Sequence, residues 1–272
     1  MTAVGSREAE VEKLPSIETV TEYWDRRPCN IKHSAAERGS RQYFDEVEQR
    51  RYFVEPHIPQ FAQFDRWRGR RVLEVGCGIG TDGACFARAG ADYTGIDVSE
   101  ASLTLARQRF DLLQLPGRFI RANGEDMVAA LELGSFDLVY SFGVIHHTPH
   151  PQAAVHQIRR LMRPEAEFRL MLYAKDSWKD AMIEAGLDQP EAQAGCPIAL
   201  TYTRQQVHEL LEPAGFRIVS ITQDHIFPYV IEDYLRYQYK LQPWFAAMPQ
   251  AMLRALQRRF GWHLLIVAAP KP

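Results

Sequence analysis

Apolar positions along this chain follow two different periods. Between residues 71 and 173, short continuous apolar runs alternate with stretches in which apolar positions return every three or four residues. The runs 71–75, 92–96, 117–122, 136–141 and 166–173 read as strands, and 82–89, 99–110, 126–132 and 151–162 read as helices. The helix from Asp82 to Ala89 is expected to turn Cys85, Phe86 and Ala89 inward. Uninterrupted apolar strands are those buried on both faces, so the alternation predicts right-handed crossovers and a parallel sheet covered by helices on both sides. A ligand of such a sheet sits at the carboxyl ends of the strands.

Outside this core the pattern is helical or irregular. Little order is expected before Pro15. Ser16, with Glu18 and Thr19, can open a helix running to about Arg26, which Pro28 stops. A second helix is expected from Gln42 to Phe53 and a third, flanked by Pro56 and Pro59, to Trp67, so residues 1–70 form a helical extension ahead of the domain 71–272. After Tyr173, residues 174–202 hold Gly186, Pro190, Gly195 and Pro197 and read as a loop-rich insertion. A helix at 203–213 and strands near 215–222 and 262–269 follow. A second insertion, about 223–260, carries Tyr229, Tyr234, Tyr237, Tyr239, Trp244 and Phe245, with helices around Pro243 and Pro249.

The first strand runs into Glu74-Val75-Gly76-Cys77-Gly78-Ile79-Gly80-Thr81. Glycine tolerates positive φ and lets backbone approach a ligand with no Cβ in the way, while the N–H groups of the following helix start face the space above the turn. A dinucleotide fingerprint would place its third glycine at position 81, which is Thr81, and the turn has no phosphate-neutralising lysine or arginine. The acid Glu74 at the strand end suits a ligand with a cationic end.

This E-x-G-C-G-x-G stretch resembles motif I of the class I S-adenosylmethionine-dependent methyltransferases. Asp97 lies 21 residues after Gly76, where that family places the acid that hydrogen-bonds the ribose hydroxyls. Asn123-Gly124-Glu125-Asp126 resembles the adenine-edge motif, and Ser141 to Pro149, with His146 and His147, is similar to the segment after the fourth strand in small-molecule members with a ubiquinone/menaquinone-methyltransferase-like core. The resemblance covers residues 71–173. It implies an α/β Rossmann-like, seven-stranded, mostly parallel sheet with the last strand antiparallel, an N-terminal helical cap over the cofactor and a helical lid inserted near the C-terminus.

The resemblance further implies S-adenosylmethionine as cofactor, held by Glu74, Gly76, Gly78, Gly80, Asp97, Asn123, Gly124, Glu125 and Ser141. Glu74 is expected to act through the turn and the amino end of the methionine moiety, and Asp97 can accept two hydroxyl hydrogen bonds. A sulfonium methyl needs a nucleophile placed in line and a route for its proton. His146 and His147 read equally as a base for that proton or as packing residues. Tyr202, His225 and Tyr229 are candidates for the acceptor pocket, against the plainer reading of a lid helix burying its aromatics; Trp24, Cys29 and Asn30 have the same standing. The Asn/Asp-Pro-Pro-aromatic signature of base-modifying relatives is missing at Ser141-Phe142-Gly143-Val144, which points away from nucleobases. The expected reaction is methylation of a small molecule. The alternatives are transfer of the aminocarboxypropyl arm and a non-catalytic cofactor-binding module.

Composition narrows the partners. The chain has 272 residues, 46% of them hydrophobic, and a net charge of −2, which fits a globular domain with additions and gives no basic stripe for nucleic acid. Leu264–Ala269 is the longest apolar run, too short to span a bilayer, and Met1 to Leu14 is polar, so the expectation is a cytoplasmic protein without a membrane. Cys29, Cys77, Cys85 and Cys196 show no paired spacing and are expected as free thiols, with no metal site.

Overall fold

A computed structural model describes residues 14–132, 134–186 and 195–272. The expectation for residues 1–13, and Pro190, lie outside them. The chain runs α1 (Ile17–Arg26), α2 (Arg41–Val54), α3 (Ile58–Ala62), β1 (Arg71–Val75), α4 (Thr81–Arg88), β2 (Asp92–Asp97), α5 (Glu100–Leu113), β3 (Arg118–Arg121), β4 (Phe136–Phe142), α6 (Pro151–Leu161) and β5 (Met162–Ala174). It continues through α7 (Trp178–Glu184), β6 (Thr201–Tyr202), α8 (Arg204–Leu211), β7 (Phe216–Asp224), α9 (Ile231–Leu235), α10 (Pro243–Ala246), α11 (Gln250–Phe260) and β8 (His263–Pro270).

Seven strands form a continuous path in the order β3-β2-β1-β4-β5-β8-β7. The first five along that path are parallel, and β8 is antiparallel to both β5 and β7. Successive residues of a strand point to opposite faces, and both faces are covered. On one side Val72, Leu138 and Tyr140 meet Phe86 of α4 and Trp67. On the other, Leu73, Val139 and Leu170 meet Val155 and Ile158 of α6 and Val207 and Leu211 of α8.

The helices start where hydroxyl side chains can take up free N–H groups. Ser16, Ser40, Ser99 and Ser177 each cap a helix by accepting from the third residue on, and Thr203 forms a full capping box with Gln206. Helix α1 lies against α5, where Ser99 Oγ donates to the Trp24 carbonyl at 3.3 Å and Ala101 N–H donates to Asp25 Oδ1 at 3.2 Å.

The architecture departs from the sequence reading in local ways. The third helix ends at Ala62, because Gln63 adopts a left-handed φ of 52° and a 3₁₀ turn takes over from Phe64 to Trp67. The 126–132 segment is likewise a 3₁₀ turn over Met127–Ala130. Phe86 and Ala89 are buried as expected, together with Ala84 and Ala87, whereas Cys85 stands at the edge of α4 with its sulfur 3.2 Å from the Tyr52 hydroxyl. The 174–202 segment contains α7 and an eighth strand, β6, which pairs with β5 at Tyr173 and Ala174, beyond the point where β4 stops. Among the described residues no helix is long and apolar enough to cross a membrane.

Candidate functional site

The turn after β1 is fastened to β2. The N–H groups of Gly76 and Cys77 both donate to the Ile96 carbonyl, at 2.8 and 2.9 Å, and Gly78 N–H donates to Asp97 Oδ2 at 2.8 Å. Gly76 has φ +75°, and a Cβ there would overlap the methyls of Val144, so this position requires glycine on two counts. At Gly78 a Cβ would meet nothing within 4 Å, since the backbone borders open space. Gly80 is packed under α5, where a Cβ would lie 3.1 Å from that of Ala106.

That open space is a cleft at the carboxyl ends of β1, β2 and β4. Of the residues expected from sequence, Glu74, Gly76, Gly78, Asp97, Asn123, Gly124 and His147 line it. Trp24, Cys29 and Asn30 line it from the N-terminal segment, together with Ile17 and Val20 of α1. The helical extension therefore forms one wall.

The two acids of the cleft are held differently. Asp97 receives Gly78 N–H on Oδ2 and Ser99 N–H on Oδ1, at 2.8 and 2.9 Å, which fixes its carboxylate plane. Burial pushes its pKa up to about 6, against the lowering effect of those backbone donors. Glu74 Oε2 accepts the Tyr93 hydroxyl at 2.5 Å. Burial, and then the carboxylate of Asp82, hold the Glu74 carboxyl well above the usual range.

The paired histidines have unlike surroundings. His146 is fully buried with its ring 3.8 Å from that of Tyr173, neither ring nitrogen has a hydrogen-bond partner, and the residue does not border the cleft. His147 does border it, with its ring edge-on to Trp24 at 5.3 Å. Its Nδ1 lies 2.6 Å from the Ile198 carbonyl, which can only accept, so Nδ1 carries the proton and Nε2 keeps a lone pair. Burial lowers its pKa to about 4, and the imidazole is neutral at physiological pH.

Other expected residues are placed elsewhere. Glu125 Oε1 accepts His150 N–H at 2.7 Å, at the start of α6. Ser141 Oγ donates to the Val75 carbonyl at 3.2 Å, bracing β4 to β1. Tyr202 sits in β6 against the main core. Tyr229 stacks on Phe53 of α2 at 6.0 Å, and its neighbours Tyr234 and Tyr237 hold the Arg50 guanidinium at 4.0 and 4.4 Å from their ring centres. The aromatic insertion thus clasps α2, and a cation on aromatic faces is stabilised by the ring quadrupoles. His225 borders a smaller second cavity with Trp178, Lys179 and Trp262.

Two cleft residues escaped the sequence reading. Asp82, 3% exposed, accepts Arg51 Nε and Nη2, both at 3.0 Å, and the hydroxyls of Tyr52 at 2.9 Å and Tyr140 at 3.0 Å. An acid in the first turn of a helix reads as a dipole partner, and Arg51 stands in the polar run Glu48-Gln49-Arg50-Arg51, so neither carried a distinctive pattern. The cleft therefore offers a buried and a half-buried acid at strand ends, a glycine turn open to a ligand, and a neutral imidazole with a lone pair on Nε2.

A family profile described as "Methyltransferase domain" matches residues 73–168. The ubiquinone biosynthesis O-methyltransferase of Alkalilimnicola ehrlichii is 38% identical over 96 residues, covering 35% of this chain and 38% of that protein. An O-methyltransferase of Pyrenophora dematioidea is 28% identical over 167 residues, covering 59% of this chain and 60% of the relative. The chain thus spans less than two thirds of the length of these curated relatives. Among solved structures, magnesium protoporphyrin IX methyltransferase from Synechocystis PCC 6803 with bound SAH superposes with a TM-score of 0.60 at 16% identity, covering 94% of this chain and 100% of that one. The [4+2]-cyclase SpnF shares the fold with a TM-score of 0.57 at 18% identity, covering 95% and 97%. The fold and the matched segment together define a class I S-adenosylmethionine-dependent methyltransferase domain. Over that segment the chain is distantly similar to the ubiquinone biosynthesis O-methyltransferases.

Proposed function

We propose that this chain binds S-adenosylmethionine in the cleft and transfers its methyl group to a small-molecule acceptor, with an oxygen nucleophile favoured by the O-methyltransferases among its relatives. The observation that carries the reading is Asp97, which lines the cleft with each carboxylate oxygen held by a backbone N–H group. A carboxylate fixed in this way accepts a pair of vicinal hydroxyls, as a ribose presents. Gly78 gives the cofactor close access to backbone, Asn123 and Gly124 border the adenine end, and Glu74 lies toward the cationic amino end. Residues 1–70 act as the cap, with Trp24 and Asn30 contributing to the wall nearest the acceptor.

His147 serves as a neutral acceptor of a hydrogen bond from the nucleophile, its Nδ1–H anchored on Ile198 and its Nε2 unprotonated. A sulfonium methyl is already electrophilic, so orientation supplies most of the rate. His146, outside the cleft, supports Tyr173 by packing. Calorimetry with S-adenosylmethionine and its demethylated product tests the binding step, and mass analysis of candidate acceptors incubated with methyl-labelled cofactor tests the transfer. Absence of heat with both ligands would overturn the reading. Label from the aminocarboxypropyl carbons in the product would replace methyl transfer with the other arm.

A further inference from the structure

Beside the cleft, three residues far apart in sequence bring metal-ligating atoms together. Glu55 ends α2, His57 opens α3 and His263 begins β8. His57 Nε2 and His263 Nδ1 are 3.0 Å apart, Glu55 Oε1 is 3.8 Å from that same Nδ1, and one ligand atom from each residue lies within 4.8 Å of the others. Both histidines are buried, at 8% and 4% exposure, and Glu55 is half-buried.

We propose that Glu55, His57 and His263 form a binding site for a divalent first-row transition-metal ion such as Zn²⁺. Two imidazole nitrogens bound to one zinc ion at about 2.0–2.1 Å and a tetrahedral angle stand roughly 3.3 Å apart, close to the separation seen here. Two histidines and one carboxylate make an N,N,O set suited to Zn²⁺ or Fe²⁺, and leave coordination positions open.

The surroundings fit that role. Glu55 uses its two oxygens differently: Oε1 faces His263, while Oε2 accepts from Arg51 Nη1 at 3.4 Å, which orients the carboxylate as an outer-shell partner does. The Arg51 charge is taken up mainly by Asp82, through the paired 3.0 Å bonds. The His225 ring stacks on that of His263 at 4.5 Å and restrains its orientation. The Phe142 ring, which lines the cleft, is 6.1 Å from the His57 ring and 5.4 Å from that of His263, and Arg51, which meets Glu55, lines the cleft as well. The ion would therefore lie at one end of the proposed active site, where an open position could take an oxygen or nitrogen donor of the acceptor. That last step rests on the methyltransferase reading; the metal site does not.

The test is equilibrium metal binding by the full chain after exhaustive dialysis against chelator. One equivalent of Zn²⁺ or Co²⁺ is expected per chain, with Co²⁺ giving the visible absorption of a nitrogen- and oxygen-ligated ion. His57→Gln and His263→Gln should each weaken binding at least tenfold with the far-ultraviolet circular dichroism unchanged. Glu55→Gln, at the half-buried helix end, gives the same comparison where a histidine variant fails to fold. No saturable binding by folded wild type, or equal affinity in wild type and every folded variant, would overturn the site and leave the pair as an imidazole–imidazole hydrogen bond. Calorimetry with S-adenosylmethionine on the same metal-free samples reports on the cofactor cleft separately.

Discussion

Arg51 closes on Asp82 through two hydrogen bonds of 3.0 Å each, and this pair ties the N-terminal extension to the first turn of the helix that follows the glycine turn. Asp82 is buried and the Arg51 side chain only 12% exposed, and the tyrosines at 52 and 140 fill the remaining acceptor positions of Asp82. Breaking such a pair from one side leaves a buried charge without its main partner. Asp82→Ala should therefore cost about 3 kcal/mol, the lower end of the range for buried pairs, because Glu55 still meets the guanidinium. Combining it with Arg51→Met should recover part of that loss. Urea unfolding gives both numbers, and an Asp82→Ala midpoint equal to wild type would remove this pair from the account of how the cap is held.

Cofactor affinity should depend on pH through Asp97. Its carboxyl titrates at about 6 in the ligand-free fold, raised by burial, while the ribose hydroxyls require the ionised form. Affinity is thus expected to be flat above pH 6 or so and to fall by roughly tenfold per unit below it. The folded pKa lies above the unfolded one, so this group's contribution to the stability of the free protein is complete below the unfolded pKa and is lost as pH rises toward about 6. Asp97→Ala should abolish the pH dependence and weaken binding by about 1.5 to 3 kcal/mol. Calorimetry across that pH range decides the matter; a wild-type curve parallel to that of the variant would assign the proton to another group.

The two histidines should respond differently to substitution. His147→Ala is expected to lower kcat by less than about tenfold and to leave the pH profile unchanged near neutrality, because an imidazole with a pKa of about 4 has no proton to lose there. A loss of about a hundredfold or more would make His147 a base. His146→Leu should leave kcat intact and hold or raise the melting temperature, since it removes two buried nitrogens that have no partner.

Gly76→Ala should fail for two separable reasons, the overlap with Val144 and the positive φ of +75°. Pairing it with Val144→Ala relieves only the first. Stability is expected to fall by about 1 kcal/mol or more in the single variant and to recover partially in the double one. Full recovery would show that sterics alone keep glycine here.

The sheet was legible because its central strands β1, β2 and β4 are mainly apolar runs between turns, and burial on both faces demands that pattern. Gly76 and Gly78 were legible because their turn conformation is local, and Asp97 because it ends the next strand, 19 residues after the Gly78 N–H that it accepts, a spacing set by one strand–helix–strand unit. Asp82 and Arg51 were not, because their meaning depends on a contact 31 residues apart between two elements whose packing the sequence does not state. The aromatic insertion reads as a lid whose rings either line the acceptor pocket or are buried by packing; what the pattern did not carry is their partner, since Tyr234 and Tyr237 close on Arg50, a residue with no mark of burial. Glu125 and Ser141 share the motifs of the cofactor residues, and their side chains turn to the backbone of α6 and β1. A motif places a residue near a site without fixing which way its side chain points.

Strand β8 follows every other strand in the chain but is inserted between β5 and β7, with antiparallel neighbours on both sides. While a ribosome is still producing it, β5 has an unpaired edge and β7 has no place in the sheet. The parallel half can form early from contacts between successive βα units, whereas the far half must wait for a segment that arrives late, across a loop-closure cost already incurred. Until then an apolar edge is exposed to other chains, and the nascent protein depends on whatever covers that edge.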